Sequence, residues 1–267
     1  MQLTPNLEFA SRTDPGLVRA QNEDALAYSP DYAYAILADG MGGYNAGEIA
    51  SGMAVAVMVD ELDEQLARDD ADASQALASA VRLANEEVFC AAQSRPDYRG
   101  MGTTLVAAVF RPGRVTVAHV GDSRLYRLRR QSLVRLTSDH SVVQEQIKAG
   151  MLDEQAAAAS PERHLLTRAL GVEPQVEVDV HEHGVQPDDL YLLCSDGLTD
   201  MLADAEIAAL LAAHGATPDP ACERLVEAAN ERGGLDNISV LLVRIPPGEP
   251  GEEGLFSRIY RQMRRSI

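Results

Sequence analysis

Residues 35–51 read AILADGMGGYNAGEIAS, and the fold hinges on how this stretch is parsed. Ala35 to Ala38 continues an aliphatic run, Tyr32 to Ala38, of strand type. Asp39-Gly40 closes it, Gly42-Gly43 follow, and Ile49, Met53, Ala56 and Val57 then recur at helical spacing. An aspartate at this point sits at the edge of a core, where an unpaired charge is costly. The same order of signals returns in Leu190-Tyr191-Leu192-Leu193-Cys194-Ser195-Asp196-Gly197. Three further acidic motifs, Asn22-Glu23-Asp24, Gly121-Asp122-Ser123-Arg124 and Asp236-Asn237, border other apolar runs. Mg²⁺ and Mn²⁺ prefer oxygen ligands, so carboxylates distributed in this way point to a metal-dependent enzyme.

Working outward, Thr103 to Phe110, Val115 to Val120, Leu125 to Leu128, Leu190 to Ser195 and Ser239 to Ile245 read as further strands. Arg111-Pro112-Gly113-Arg114 is a hairpin signal and Val120 to Arg124 a tight turn, so neighbouring strands are expected to be antiparallel. Leu77, Val81, Ala84, Val88 and Ala91 form one helical stripe, and Asp204 to Ala213 and Pro218 to Arg232 supply two more helices. Helices grouped between runs of strands predict an α+β sandwich rather than a regularly alternating parallel sheet.

Composition narrows the function. The chain has 267 residues, 46% of them hydrophobic but only 4% aromatic, which predicts an aliphatic and alanine-rich core. Forty-one acidic residues against 23 basic ones give a formal charge of -18, which argues against nucleic acid as a partner. The single lysine, Lys148, belongs to no Gly-Lys-Ser/Thr phosphate loop, so an ordinary nucleotide hydrolase is not expected. Cys90, Cys194 and Cys222 are scattered, fitting reduced thiols, and Cys194 is expected in the core. No apolar run is long enough for a membrane span and Met1 to Asp14 lacks a leader pattern, so a cytoplasmic protein is expected.

Thr137 to Gly171, with its alanine tract Ala156 to Ala159, reads as short surface helices and a candidate flap. The globular domain is expected over residues 1–245, followed by a Pro/Gly/Glu linker over 246–254. The tail 255–267 places Phe256, Ile259, Tyr260, Met263 and Ile267 on one side of a possible helix, with Arg258, Arg261, Arg264 and Arg265 adding charge. It reads either as a frayed end or as a docking element.

Eight stretches carry a family resemblance: GLVRAQNEDAL (16–26), AILADGMGGYNAGEIAS (35–51), MGTTLVAAV (101–109), VAHVGDSRLYRL (117–128), LTSDHS (136–141), HLLTRALG (164–171), LYLLCSDGLTDML (190–202) and DNISVLLV (236–243). In this order they resemble the metal-dependent serine/threonine protein phosphatases, the type-2C or PPM family, in its compact bacterial form. The resemblance spans Glu8 to Ile245. It implies a four-layer α-β-β-α sandwich with two packed antiparallel sheets and two Mn²⁺ or Mg²⁺ ions at one end. Asp39 would bridge both metals, Gly40 would offer its carbonyl to one, and Asp196 and Asp236 would complete the other. Glu23 and Asp24 would support the centre through bound water, while Asp122 with Asp196 would hold a third, weaker ion. Arg19 would grip the substrate phosphate.

The implied reaction is hydrolysis of phosphoserine and phosphothreonine in proteins by a metal-bridging hydroxide, without a phosphoenzyme, counteracting a bacterial Ser/Thr kinase. Phosphorylated proteins, including such a kinase, would be the partners, and a monomer is favoured. Two alternatives are a catalytically silent module of the same fold and a phosphatase dedicated to one regulatory phosphoserine partner. One position departs from the pattern: many eukaryotic relatives have histidine after the first Asp-Gly, where Met41 stands here. The proton for the leaving group must then come from bound water or from another histidine, with His140 as a candidate. His181-Glu182-His183 falls outside the motifs and reads as surface.

Overall fold

Alternation along the strands sorts side chains into three apolar layers. The computed structural model describes residues 7–247 except 44–45, 69, 154–155 and 158–159. One antiparallel sheet has the order β1 (Glu8–Asp14), β11 (Ile238–Arg244), β10 (Leu190–Cys194), β7 (Arg124–Arg129) and β8 (Ser132–Arg135). The other runs β2 (Asp24–Ser29), β3 (Tyr34–Met41), β5 (Leu105–Arg111), β6 (Arg114–Val120) and β9 (Asp179–Gly184), and the short β4 (Gly102–Thr103) pairs with the end of β3.

On β3, Ala35 and Leu37 face the opposite sheet and meet Tyr191, Leu193, Leu241 and Val243 in the central layer. Tyr34, Ile36 and Ala38 face outward onto α1 (Ala46–Leu66) and α2 (Ala73–Ser94). Leu192, Cys194, Val240 and Leu242 face the other way, onto a second helical pair, Asp204–His214 and Pro218–Glu231. Strands buried on both faces need uninterrupted apolar sequence, which is why these runs were readable. The result is the expected α-β-β-α sandwich. Among the described residues two shorter α-helices precede that pair, α3 (Val142–Lys148) and α4 (Asp196–Thr199), so the outer pair is named α5 and α6.

Three expectations need correction. The tight turn after Val120 does not join paired strands: β6 pairs with β5 and β9, β7 with β10 and β8, so Gly121 to Ser123 carries the chain from one sheet to the other. The buried face of α1 is Ala50, Ala54, Met58 and Leu62, whereas Ile49, Met53 and Val57 lie on its flank and Ala56 is exposed. Small side chains let that helix approach the sheet closely. Finally, β1, β2, β8 and β9 form without having been anticipated. His181-Glu182-His183 lies in β9, at a sheet edge, with His181 and Glu182 exposed.

Cys194 is fully buried, as expected. Pro112-Gly113 makes the β5–β6 hairpin, with Gly113 at φ +77. β11 stops at Arg244 and Ile245 is buried; residues 248–254 of the expected linker, the tail 255–267, and Ala158 and Ala159 of the alanine tract lie outside the described residues. Among the described residues no helix is long and apolar enough to cross a membrane.

The central layer predicts a stability effect. Leu241 is fully buried between the sheets, and Leu241→Ala is expected to lower the unfolding free energy by about 2–5 kcal/mol in denaturant titrations, without changing the slope.

Candidate metal centre

Six strand ends meet at one edge of the sandwich. Asp24 opens β2 and stands directly opposite Asp39 near the end of β3. Asp122 lies in the turn between β6 and β7, Asp196 follows β10, and Asp236 precedes β11. The carboxylates of Asp24, Asp196, Asp122 and Asp236 all act electrostatically on that of Asp39. Residues as far apart in the sequence as Asp24 and Asp236 therefore converge on Asp39 across the two sheets.

The backbone holds these positions closely. Thr103 Oγ1 donates to the Asp39 carbonyl at 2.8 Å, and Asp39 N donates to Thr104 Oγ1 at 3.0 Å. Thr104 Oγ1 in turn meets Ser123 Oγ at 2.7 Å, linking the Asp39 strand to the Asp122 turn. Gly40 N donates to the Glu23 carbonyl at 3.0 Å, and Glu23 N donates to Asn237 Oδ1 at 2.9 Å. A Cβ on Gly40 would lie 2.1 Å from the Gly47 carbonyl oxygen, so only glycine lets α1 start this close to the Asp39 strand. Asn237 Nδ2 also donates to the carbonyls of Pro15 and Gln21, tying the first loop to the last strand.

Like charges directly opposite on paired strands destabilise a sheet. Burial, opposed by hydrogen bonds from Ser239 and Ser195 and reinforced by Asp196 and Asp236, raises Asp24 to about 7. Burial and then Asp196 push Asp122 up to about 8, and burial with Asp200 and Asp236 pushes Asp196 to about 6. Asp39 is held well above the usual carboxylate range, again chiefly by burial. Burial also raises Glu23, against the opposing effect of Arg19. Asp24 Oδ2 accepts from Ser195 Oγ at 2.8 Å, but its buried Oδ1 has no hydrogen-bond partner among the described residues. An orphaned oxygen among mutually repelling, oxygen-only donors suits hard divalent cations.

Arg19 lies on the rim, about half exposed, with Nη2 donating to Asp236 Oδ2 at 2.7 Å. Two residues not singled out from the sequence also belong here: His164 Nδ1 is 3.5 Å from Asp200 Oδ2 and 3.9 Å from Asp196 Oδ2. Asp200 follows Asp196 by one helical turn, a spacing that could have revealed it; His164 sits in a polar stretch with no periodic signal. His140 is a correction. It is 3% exposed, its Nδ1 accepts from Gly121 N at 3.1 Å, and its Nε2 lies 3.4 Å from Asp179. Both ring nitrogens face protein, so it is not placed to protonate a leaving group. Met41 Cε packs toward Gly102.

Comparison with known proteins agrees with this geometry. The sequence profile of protein phosphatase 2C matches residues 18–237. The serine/threonine phosphatase stp of Listeria monocytogenes is 41% identical over 236 residues, covering 87% of this chain and 93% of that protein. The crystal structure of the serine/threonine phosphatase PstP/Ppp of Mycobacterium tuberculosis superimposes with a TM-score of 0.82 at 37% identity, covering 90% of this chain and 99% of that one. The catalytic domain of a PstP in complex with two manganese ions gives a TM-score of 0.80 at 36% identity, covering 90% and 98%.

The raised carboxylates predict how the metal-free protein responds to pH. Their folded pKa values exceed the ordinary value near 4, so the folded form holds extra protons between about pH 4 and 8. Their contribution to stability is therefore fully present below about pH 4 and lost progressively as pH rises to about 8. Denaturant midpoints of EDTA-treated protein are expected to fall across that window, and Mn²⁺ to flatten the slope. Calorimetry in buffers of different ionisation enthalpy should show proton release on Mn²⁺ binding that is larger at pH 6.5 than at pH 8.5.

Proposed function

The chain belongs to the protein phosphatase 2C family, and from that premise we propose that it hydrolyses phosphoserine and phosphothreonine in proteins with divalent-metal dependence. The observation that carries this reading is the convergence of Asp24, Asp39, Asp122, Asp196 and Asp236 around an unpartnered buried oxygen, with Arg19 on the rim. Asp39, Asp196, Asp236 and the Gly40 carbonyl are the groups to hold two Mn²⁺ or Mg²⁺ ions. Asp122 and Asp196 are the pair for a third, weaker ion. Such ions, when bound, would supply Lewis acidity that activates water towards phosphorus and offsets charge on the phosphoryl oxygens.

The chain's own residues supply the rest. Glu23 and Asp24 brace the cluster through Asn237 and Ser195. Arg19 has a planar fork suited to two phosphate oxygens, and it can turn to substrate because its carboxylate contact is solvent-exposed. Buried Cys194, its thiol pushed up to about 12 by burial, is no nucleophile, which supports direct hydrolysis. His164, near Asp196 and exposed, takes the proton-delivering role left open by Met41. The substrates are phosphoproteins of the cytoplasm, among them a Ser/Thr kinase whose action the enzyme reverses.

Hydrolysis of a phosphothreonine peptide should require Mn²⁺ or Mg²⁺, stop with EDTA, and fall by more than about a hundredfold in Asp39→Ala. A fully metal-loaded protein without turnover would instead identify a silent binding module. His164→Gln is expected to slow alkyl phosphates, with their high-pKa leaving groups, about 10- to 100-fold more than aryl phosphates. Equal losses on both would remove His164 from proton delivery.

A further inference from the structure

Behind the carboxylate cluster lies a second, buried constellation that the proposed reaction does not use. His140 N donates to the Gly121 carbonyl at 2.9 Å while Gly121 N donates back to His140 Nδ1 at 3.1 Å, so one residue engages both backbone groups preceding Asp122. A backbone N–H can only donate. Nδ1 must therefore accept, and the ring proton resides on Nε2, facing Asp179 Oδ2 at 3.4 Å. Arg168 Nη1 fixes the other Asp179 oxygen at 2.9 Å. His119 stacks on the His140 ring with centroids 4.7 Å apart. Burial, then His119 and Arg168, lower the His140 pKa to about 4, which preserves the neutral acceptor.

The neighbouring residues grip the other side of the same turn. Asp139 accepts from Arg124 Nε at 3.1 Å and from Nη2 at 2.7 Å, and Leu125 N donates to Thr137 Oγ1 at 3.1 Å. Gly121 adopts φ +101, and a Cβ there would lie 2.7 Å from the Thr104 side chain, so the turn is tightly seated. Thr167 N donates to the His140 carbonyl at 2.8 Å, joining the 164–171 stretch to the same clasp.

His119, His140 and Asp179 also have the composition of a metal site. Nearly parallel stacked imidazoles cannot both aim lone pairs at one ion, and the Arg168 guanidinium already neutralises Asp179. The constellation is a brace rather than a second metal centre.

We propose that His140, oriented by Asp179, is a positioning residue: through its Nδ1 bond to Gly121 it sets the direction of Asp122 and so the affinity of the weaker cation site. The metal half of this inference rests on the role proposed above for Asp122; the hydrogen-bond half does not. Loss of such an outer partner typically weakens metal binding about 10- to 100-fold.

Two substitutions in the full chain separate the two ends of the ring. In His140→Asn the side-chain oxygen can occupy the Nδ1 position and keep the Gly121 bond; in His140→Gln the longer amide reaches Asp179 but leaves Gly121 N without its acceptor. Amide hydrogen exchange of Gly121 in the metal-free protein, followed by ¹⁵N NMR, should remain slow in His140→Asn and accelerate at least tenfold in His140→Gln. Electron paramagnetic resonance of free Mn²⁺ should show the weakest bound ion loosened about 10- to 100-fold in His140→Gln alone, with the tighter ions unchanged. Wild-type exchange and Mn²⁺ binding in His140→Gln would overturn the proposal. So would equal losses in both variants that track a common fall in melting temperature, because His140 would then be packing only. Asp122→Asn isolates the premise: unchanged Mn²⁺ affinity in that variant would overturn both the metal role of Asp122 and the metal half of the inference.

Discussion

Mutual repulsion among converging carboxylates is the constraint on which this molecule is organised. Asp24 and Asp39 face each other on paired strands, and Asp122, Asp196 and Asp236 come in from other strand ends. Water screens such charges poorly once protein surrounds them, so the repulsion is relieved either by cations or by protons taken up by the carboxylates. The fold can carry this load because it is stiff elsewhere: three aliphatic layers, each close-packed, hold the strand ends in place. Asn237, Thr104 and Ser195 then couple those ends by hydrogen bonds that do not depend on the charge state of the aspartates they adjoin, except where Ser195 meets Asp24.

What the sequence discloses follows from how many faces an element buries. β3, β5, β6, β10 and β11 are covered on both sides and read as continuous aliphatic runs. β1 (EFASRTD) and β9 (DVHEHG) are edge strands with polar residues throughout, and nothing local distinguishes them from loops. The α1 stripe was misjudged because the face that seats on the sheet is largely alanine, while larger Ile49 and Met53 sit to the side. Hydrophobicity ranks them wrongly when close approach matters more than volume.

At the centre itself, each aspartate was legible as a charge placed where a strand ends, and the family resemblance grouped them. Which sheet each strand joined was not legible. The turn at Gly121 to Ser123 looks like a hairpin locally, and only the pairing partners of β6 and β7 reveal that it crosses between sheets. His164 and His140 lie in the polar 137–171 stretch, and the groups that position them, Gly121, Asp179, Asp196 and Asp200, come from outside it. Histidine chemistry makes His140 a candidate acid in the sequence, yet its burial and the bond from Gly121 N to Nδ1 turn the ring into protein.

The tie from Asn237 to Pro15, Gln21 and Glu23 has a consequence for biosynthesis. Chains emerge from the ribosome in order and begin folding from the amino end. While Asp39 and both helices of the first pair are already outside, Asp236 and Asn237 are still to be made, and the opening loop with Arg19 has nothing to close against. A growing polypeptide therefore carries an incomplete carboxylate cluster until translation reaches β11, so that the full set of converging aspartates arises only once the last strand has been made.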